Sequence, residues 1–234
     1  MTFNHVKKVE LKPLERVEVH GVRHYLSEGT DLQQAVPSVT TVLSSLNTKW
    51  LEQWKSRVGH KEAERVSHHA STQGTLVHEA IEAHCGNQPL PSMMPLVQLM
   101  FKSLQRIADT HINNIHMIEG QMLSRHLRVA GTVDMIAEWD GILSVIDWKT
   151  SGKPKKEEWV HDYFKQEAAY AVMYEENGGP PVSQLVTAIT CSDGSSQVFI
   201  QKRDDWIGGF IEARDAFEQH IMTTTLNTEA GIAL

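Results

Sequence analysis

The sequence predicts an α/β domain, and three observations support this fold class. Residues 129–139 and 142–150 are apolar segments rich in β-branched residues, as expected for strands. Asp140-Gly141 between them is a strong signal for a β-hairpin turn. Segments with the apolar spacing of helices occur before and after this pair. We therefore expect a β-sheet flanked by helices and organised around this hairpin.

The composition is that of an ordinary globular domain and argues against several classes of protein. Of 234 residues, 41% are hydrophobic and 22% are charged, which suffices for one substantial core. No apolar run approaches the roughly 20 residues that span a bilayer, and residues 1–8 lack the apolar segment of a signal peptide. Two cysteines are too few for a disulfide framework or a cysteine-bound iron–sulfur cluster. We expect a cytoplasmic protein with no membrane association.

The net charge of −7 gives no general attraction to nucleic acid, so any contact with it would depend on a local patch. The densest basic group follows the second strand of the hairpin and comprises Lys149, Lys153, Lys155 and Lys156. An acidic pair directly after it neutralises part of this charge. The group is therefore either a solvated turn or a weak nucleic-acid footprint.

We expect the whole chain, residues 1–234, to form one domain whose first part consists of short strands. Residues 1–45 contain a hairpin about His20-Gly21. Pro37-Ser38 then has the composition of a helix entry.

Residues 46–125 are predicted to form a helical annex. One helix is expected over residues 59–85, with an interruption near Gly74. A proline-containing loop separates it from a second helical stretch over residues 94–112.

Residues 126–225 are predicted to contain the catalytic sheet and its flanking helices. After the hairpin, a helix is expected from residue 164 to 176, with small residues that let it sit close to the sheet. Two strands follow at 185–191 and 197–201, and one of the aspartates 204–205 can cap a last helix.

The hairpin brings together residues that suit a divalent cation and a water nucleophile. Asp147 and Lys149 are two apart on one strand and share a face, and Asp134 lies on the paired strand. The two carboxylates can supply hard oxygen ligands to Mg²⁺ or Mn²⁺. Lys149 can orient the water and offset charge in the transition state. The carbonyl of Trp148 can complete the coordination shell, and an imidazole from His78 would favour Mn²⁺.

The first long helix offers more than one carboxylate beside that imidazole. His78 and Glu82 are four residues apart and fall on one face. Glu79 points about 100° away from His78 at 3.6 residues per turn. The facing argument favours Glu82, while the choice between Glu79 and Glu82 stays open.

The order of these residues along the chain resembles the RecB-like branch of the PD-(D/E)XK nucleases. The matching phrases are Gly74-x-x-x-His78-x-x-x-Glu82, Gly131-Thr132-x-Asp134, Ile146-Asp147-Trp148-Lys149-Thr150-Ser151 and Gln166-x-x-x-Tyr170. Within that branch, residues 146–155 and the phrase at 36–40 look most like the mitochondrial genome maintenance exonuclease family and its bacterial and phage relatives. An isolated Asp-x-Lys is a weak signal, whereas the ordered set in a strand, strand, helix context is specific.

This resemblance, which covers about residues 20–220, implies a restriction-endonuclease-like core with a mixed sheet. It implies that the metal ligands are His78, Asp134, Asp147 and the Trp148 carbonyl, and that Lys149 is the catalytic lysine. It places five further residues in supporting or DNA-contacting roles, namely Glu82, Thr150, Ser151, Gln166 and Tyr170. It also suggests a bacterial or phage-infected cell and a role in DNA repair or recombination.

The expected function is a metal-dependent DNA exonuclease that prefers single strands or free ends. Three alternatives remain: a non-catalytic DNA-end binding module, a structure-specific endonuclease, and an α/β domain with an accidental Asp-x-Lys. Protein partners and the polarity of digestion are not given by the sequence.

The helical stretches at about 48–70 and 94–112 have two interpretations. They combine tryptophans with basic residues, which is typical of single-strand channels, and these residues are Lys49, Trp50, Trp54, Lys55, Arg57, Lys61, Arg65, Lys102 and Arg106. We expect them to guide a threaded single strand towards the metal site. The alternative is that they only cap the core, as amphipathic helices usually do.

Overall fold

The computed structural model of the protein describes residues 2–6, 9–19, 22–45 and 48–229, with the backbone alone for 48–51 and 224–229. The strands are β1 (Leu14–Val19), β2 (Val22–Ser27), β3 (Val36–Pro37), β4 (Ile112–Ser124), β5 (Val129–Trp139), β6 (Ile142–Ser151), β7 (Gln184–Cys191) and β8 (Ser196–Lys202). The helices are α1 (Val39–Ser45), α2 (Thr48–Val58), α3 (His60–Cys85), α4 (Pro95–His111), α5 (His161–Glu176) and α6 (Arg203–Glu229). Among these helices, none is long and apolar enough to cross a membrane.

The main sheet has five strands in the order β4-β5-β6-β7-β8. β6 and β7 run parallel, and the other neighbouring pairs are antiparallel. The parallel pair needs a crossover connection, and α5 provides it. The expected α/β fold with a mixed sheet and flanking helices is therefore confirmed. A smaller sheet, β1-β2-β3, lies at the N-terminus, and its predicted turn at His20-Gly21 falls outside the described residues.

Helices cover both faces of the main sheet. α3 and α4 pack on one face, where Trp139 and Trp148 are almost completely buried. α1, α5 and α6 pack on the other face. The alanines of α5 are fully buried, as expected for a helix that lies close to a sheet, and these are Ala168, Ala169 and Ala171.

The hairpin formed by β5 and β6 has the turn that its sequence predicts. Asp140 and Gly141 have φ values of 50° and 82°, the left-handed values that a type I′ turn requires. The start of α1 also follows the prediction, because Ser38 Oγ accepts a hydrogen bond from the Thr41 backbone N–H at 3.0 Å.

Three local predictions are wrong. Residues 112–124 form β4, an edge strand of the main sheet that the predicted helical annex does not include. α3 continues without a break through Gly74. α6 begins at Arg203, so Asp204 and Asp205 lie in its first turn rather than before it.

The sequence pattern does not indicate β4, because its side chains do not alternate regularly between the two faces of the sheet. Its pairing with β5 shifts register twice between Ile112 and Met117, which places extra residues in the strand and breaks the period of two. Glu119 adds a further irregularity, since its φ is 49°.

Candidate active site

Three carboxylates lie side by side across three neighbouring strands. The register of β4 with β5 places Glu119 opposite Asp134, between the pairs Ile118–Met135 and Gly120–Val133. The register of β5 with β6, continued by one residue, places Asp134 opposite Asp147. Residues opposite each other in antiparallel strands have Cα atoms roughly 4.5–5.5 Å apart. The sheet therefore concentrates negative charge in one row.

Asp147 is the most deeply buried member of this row, with 2% of its surface exposed. Lys149 Nζ lies 2.5 Å from its Oδ2, and Gln166 Nε2 donates a hydrogen bond to its Oδ1 at 2.8 Å. Burial raises the pKa of Asp147 to about 6, assisted by the charge of Asp134 and opposed by Lys149. Burial opposes the charged form of Lys149 as well, yet Asp147 and Asp134 hold the lysine pKa above its usual range. Lys149 is thus a cation at neutral pH.

Asp134 connects the hairpin with α3. Its Oδ2 accepts a hydrogen bond from the Trp148 backbone N–H at 2.9 Å and lies 3.6 Å from His78 Nδ1. The N–H and C=O of one strand residue point to the same side of the strand, so the Trp148 carbonyl is expected on the side of β6 that faces β5. The indole ring of Trp148 is buried between the sheet and the helices.

A second group of ligand atoms lies directly beside the first. One ligand atom from each of His78, Glu82 and Glu119 falls within 4.8 Å of the others. Burial and the charge of Glu82 raise the pKa of Glu119 to about 8. Burial likewise raises the pKa of Glu82 above its usual value, and the hydrogen bond with the Glu119 carboxyl offsets only part of this rise. Glu79 lines the same cleft but is not in this group, which agrees with the facing argument for Glu82.

These residues fit a divalent cation. Asp147 Oδ2 is buried and is paired with the Lys149 ammonium at 2.5 Å, so this carboxylate is held as an anion beside Asp134. Glu82 and Glu119 touch each other, and burial together with the charge of Asp134 raises the pKa of both carboxyls. One imidazole and several carboxylate oxygens form a donor set that suits Mg²⁺ or, more strongly, Mn²⁺. A cleft of about 400 Å³ opens onto His78, Glu82, Glu119 and Asp134.

Glycines allow two close contacts around the site. A Cβ at position 131 would lie 2.9 Å from the Tyr170 hydroxyl oxygen, so Gly131 makes room for that buried ring. A Cβ at position 74 would lie 3.3 Å from Thr150 Oγ1. The two glycines thus keep α5 close to β5 and α3 close to β6.

Of the predicted supporting residues, Gln166 contacts the site directly and Ser151 does not. The Ser151 hydroxyl donates to the Lys153 carbonyl at 2.7 Å and holds the turn after β6. Thr150 and Tyr170 contact the glycines that bring α3 and α5 near the site. Roles for these residues in DNA contact remain predictions.

Two acidic residues near the site were not predicted from the sequence. Glu119 comes from the unrecognised strand β4, and no local signal marks it. Glu167 is completely buried in α5, where the Thr187 hydroxyl donates to its Oε1 and its Oε2 has no hydrogen-bond partner among the described residues. Burial raises the pKa of Glu167 well above its usual value. A charged residue on the apolar face of a helix could have identified it.

The predicted guiding helices differ in their placement. α4 packs into the core through five apolar residues and a serine, and its Arg106 lines a separate cleft with Gly194. α2 and the N-terminal part of α3 are largely exposed, and from residue 60 to 72 only Ala63 is buried. The side chains of Lys49 and Trp50 lie outside the described residues. α4 therefore matches the core-capping alternative.

Comparison with known proteins agrees with the motif order. A sequence model of the PD-(D/E)XK nuclease superfamily matches residues 93–231, more than half of the chain. Mitochondrial genome maintenance exonuclease 1 from Homo sapiens is 32% identical over 135 residues, which cover 53% of this chain and 39% of that protein. The protein of the same name from Xenopus tropicalis is 28% identical over 191 residues, which cover 74% and 52%.

The chain thus spans about half, or less, of the length of the curated relatives that it matches. A solved structure of a proposed exonuclease from Eubacterium rectale superposes with a TM-score of 0.41 at 11% identity, covering 69% of each chain. The superfamily match extends over the edge strand β4, the catalytic hairpin, α5 and the two last strands. The chain belongs to the PD-(D/E)XK nuclease superfamily.

Proposed function

We propose that the protein is a metal-dependent DNA exonuclease that hydrolyses phosphodiester bonds at single-stranded or free ends. One observation carries this proposal: Asp134, Asp147 and Lys149 converge at adjacent strand positions, with His78 brought to them by α3. A protein that only binds DNA has no need for a buried lysine held against two acids. The named exonuclease relatives support the same activity.

The metal would be held by His78, Asp134, Asp147 and the Trp148 carbonyl. When bound, Mg²⁺ or Mn²⁺ supplies neutralisation of phosphate charge and makes water a better nucleophile at neutral pH. Gln166 keeps Asp147 in a fixed orientation through its hydrogen bond to Oδ1.

Lys149 has two tasks in this proposal. It offsets the charge of Asp147, and it donates to the oxygen that gains charge in the transition state. Its ammonium lies 5.0 Å from the centre of the Tyr163 ring, so the side chain is held in place before substrate arrives. Preorganisation of this kind is the largest source of catalytic advantage from a fixed charge.

Preference for single strands has its own structural support. Trp159 is 63% exposed, shortly after the predicted lysine group, and Lys156 Nζ lies 5.4 Å from the centre of its ring. An exposed aromatic ring beside lysines offers stacking to a base and charge to a phosphate. Lys149, Lys153, Lys155, Lys156 and Trp159 are here called the basic patch. A duplex hides its bases, so this surface favours an unpaired strand.

The test uses end-labelled single- and double-stranded DNA with EDTA, Mg²⁺, Mn²⁺ or Ca²⁺. We expect cleavage with Mg²⁺ or Mn²⁺, and binding without turnover with Ca²⁺, whose looser shell positions water poorly. Absence of cleavage under all conditions, with DNA binding intact, would favour the non-catalytic binding module.

A second substrate pair separates exonuclease from endonuclease. A linear single strand and its covalently closed circle have the same sequence, and only the line has an end to thread. We expect degradation of the line alone, and protection when bulky groups block both ends. Equal degradation of the two substrates would contradict threading and favour the endonuclease.

A further inference from the structure

We propose that the cleft between the C-terminal half of α3 and β4 binds the sugar and base of the nucleotide adjoining the scissile phosphate. This inference rests on the proposed nuclease function and extends it to a nucleoside-binding subsite. The cleft has a volume of about 660 Å³, within the range of small-molecule sites. It is lined by His5, Glu79, Glu82, Ala83, Gly86, Gln88, His116, Met117 and Ile118.

This nucleoside cleft shares a wall with the proposed metal site. Glu79 and Glu82 line both the nucleoside cleft and the cleft that opens onto His78 and Asp134. A phosphate bound to these carboxylates through a cation would therefore have its attached nucleoside at the mouth of the nucleoside cleft. The shared wall places a second part of the substrate here without any movement of the fold.

The lining of the nucleoside cleft suits a neutral, flat, partly polar group. Met117, Ile118 and Ala83 supply apolar surface, and no lysine or arginine lines the cleft among the residues that the structure describes, which exclude Lys7 and Lys8. A base and a sugar need apolar contact with a few hydrogen bonds, and the described lining residues offer both.

Two histidines are oriented by contacts outside the nucleoside cleft. His5 Nε2 lies 2.9 Å from the Cys85 carbonyl oxygen, so it is the donor there and Nδ1 is left as an acceptor. His116 Nδ1 lies 3.2 Å from the Tyr174 hydroxyl. Burial lowers the pKa of His116, which favours its neutral ring at neutral pH. Hydrogen-bonding groups in fixed orientations are what a binding site for a base requires.

The charges on the two sides of the metal site suggest how a strand crosses it. The basic patch comprises Lys149 near the end of β6 and residues of the segment after it, and the nucleoside cleft lies beside β4, at the other end of the row of strands β4-β5-β6. Phosphates of the incoming strand would meet the lysines and Trp159. The nucleoside at the far side of the cleaved bond would enter the nucleoside cleft.

Two probes separate this subsite from the cation. Inorganic phosphate with Mn²⁺ reports binding at the metal alone, and thymidine 5′-monophosphate with Mn²⁺ reports the metal and the nucleoside cleft together. Ala83→Phe fills the cleft from α3, and Ala83→Leu is a milder variant with a good helix former. The matched control is Ala70→Phe, because Ala70 is exposed on the same helix and does not line the cleft.

Calorimetry should show that Ala83→Phe weakens binding of the nucleotide about tenfold or more, in line with the loss of one base contact. Its affinity for phosphate should stay within about twofold of the wild type, and Ala70→Phe should change neither. If Ala83→Phe does not fold, Ala83→Leu should also weaken nucleotide binding, by a smaller factor, and leave phosphate binding unchanged. Equal nucleotide affinity in wild type and folded Ala83 variants overturns the proposal.

The same data distinguish this inference from the proposed function. Wild-type protein that binds the nucleotide more tightly than phosphate but does not cleave DNA would keep the subsite and reject the nuclease. Wild-type protein that cleaves DNA while nucleotide and phosphate bind equally would keep the nuclease and reject the subsite.

Discussion

The metal-free protein should carry a stability penalty at neutral pH that comes from its crowded carboxylates. The folded pKa of Asp147 is about 6, compared with an ordinary value of 3.8. Because the folded state holds this proton longer than the unfolded chain, the stability gained from it is present at low pH and is lost between about pH 4 and pH 6. Glu119, with a pKa of about 8, acts in the same direction up to about pH 8.

The size of the effect follows from the shift of Asp147. A difference of about two pKa units corresponds to about 3 kcal/mol over the whole window, of which about 1 kcal/mol falls between pH 5 and pH 8. Glu119 adds less than its shift suggests, because its side chain is exposed and solvent screens it. Burial also lowers the pKa of His116, which makes stability rise with pH and so opposes the effect of the carboxylates. A comparison of variants isolates the contribution of Asp147.

The assay is urea unfolding in EDTA at constant ionic strength, at pH 5 and pH 8. Wild type should lose about 1 kcal/mol or more relative to Asp147→Asn as the pH rises, and the exposed control Asp205→Asn should follow the wild type. Mn²⁺ should stabilise wild type more at pH 8 than at pH 5, since protons compete for its ligands, and by about 2.7 kcal/mol at a hundredfold excess over Kd. Parallel behaviour of wild type and Asp147→Asn would refute this reasoning, as would an equal effect of Mn²⁺ at both pH values.

Three further predictions concern single residues. Lys149→Ala should slow cleavage about 10²–10³-fold while DNA binding, measured by fluorescence anisotropy, is retained; more than about a tenth of the wild-type rate would contradict its role. Glu119→Gln should weaken Mn²⁺ binding several-fold in calorimetry, with Glu64→Gln as the exposed control, and unchanged affinity would exclude Glu119 from the site. Gly74→Leu should lower both Mn²⁺ affinity and cleavage by pushing α3 from β6, and Thr150→Ala should restore part of each; no recovery in the double variant would disprove the contact.

The catalytic hairpin could be predicted because its signals are local. Apolar runs rich in β-branched residues and the Asp140-Gly141 turn identify both strands, and their pairing follows from the turn itself. Once the pairing is known, Asp134 must lie opposite Asp147. Lys149, two residues after Asp147 on β6, then shares a face with Asp147 because side chains alternate with a period of two.

Glu119 could not be predicted because the four residues that connect β4 to β5, 125–128, contain no glycine, proline, asparagine or aspartate to signal a turn. The bulges in β4 conceal the strand, and only the finished sheet puts Glu119 opposite Asp134. The contact of Gln166 with Asp147 could not be predicted either. α5 is a crossover helix, and its contact with β6 exists only after β7 has joined the sheet. The sequence motif predicted the presence of Gln166 at the site, but not its hydrogen bond.

Gly74 shows how local and tertiary requirements differ at the same residue. By local propensity a glycine inside a helix is a weak point, costing about 1 kcal/mol relative to alanine, and it therefore predicts an interruption. In the folded protein α3 stays helical, and the absent side chain lets it approach Thr150 on β6. His78 follows one turn later and lies 3.6 Å from Asp134, so the distance between helix and strand controls the distance between their ligand atoms. A residue that weakens the helix thereby permits the contact on which the proposed metal site depends.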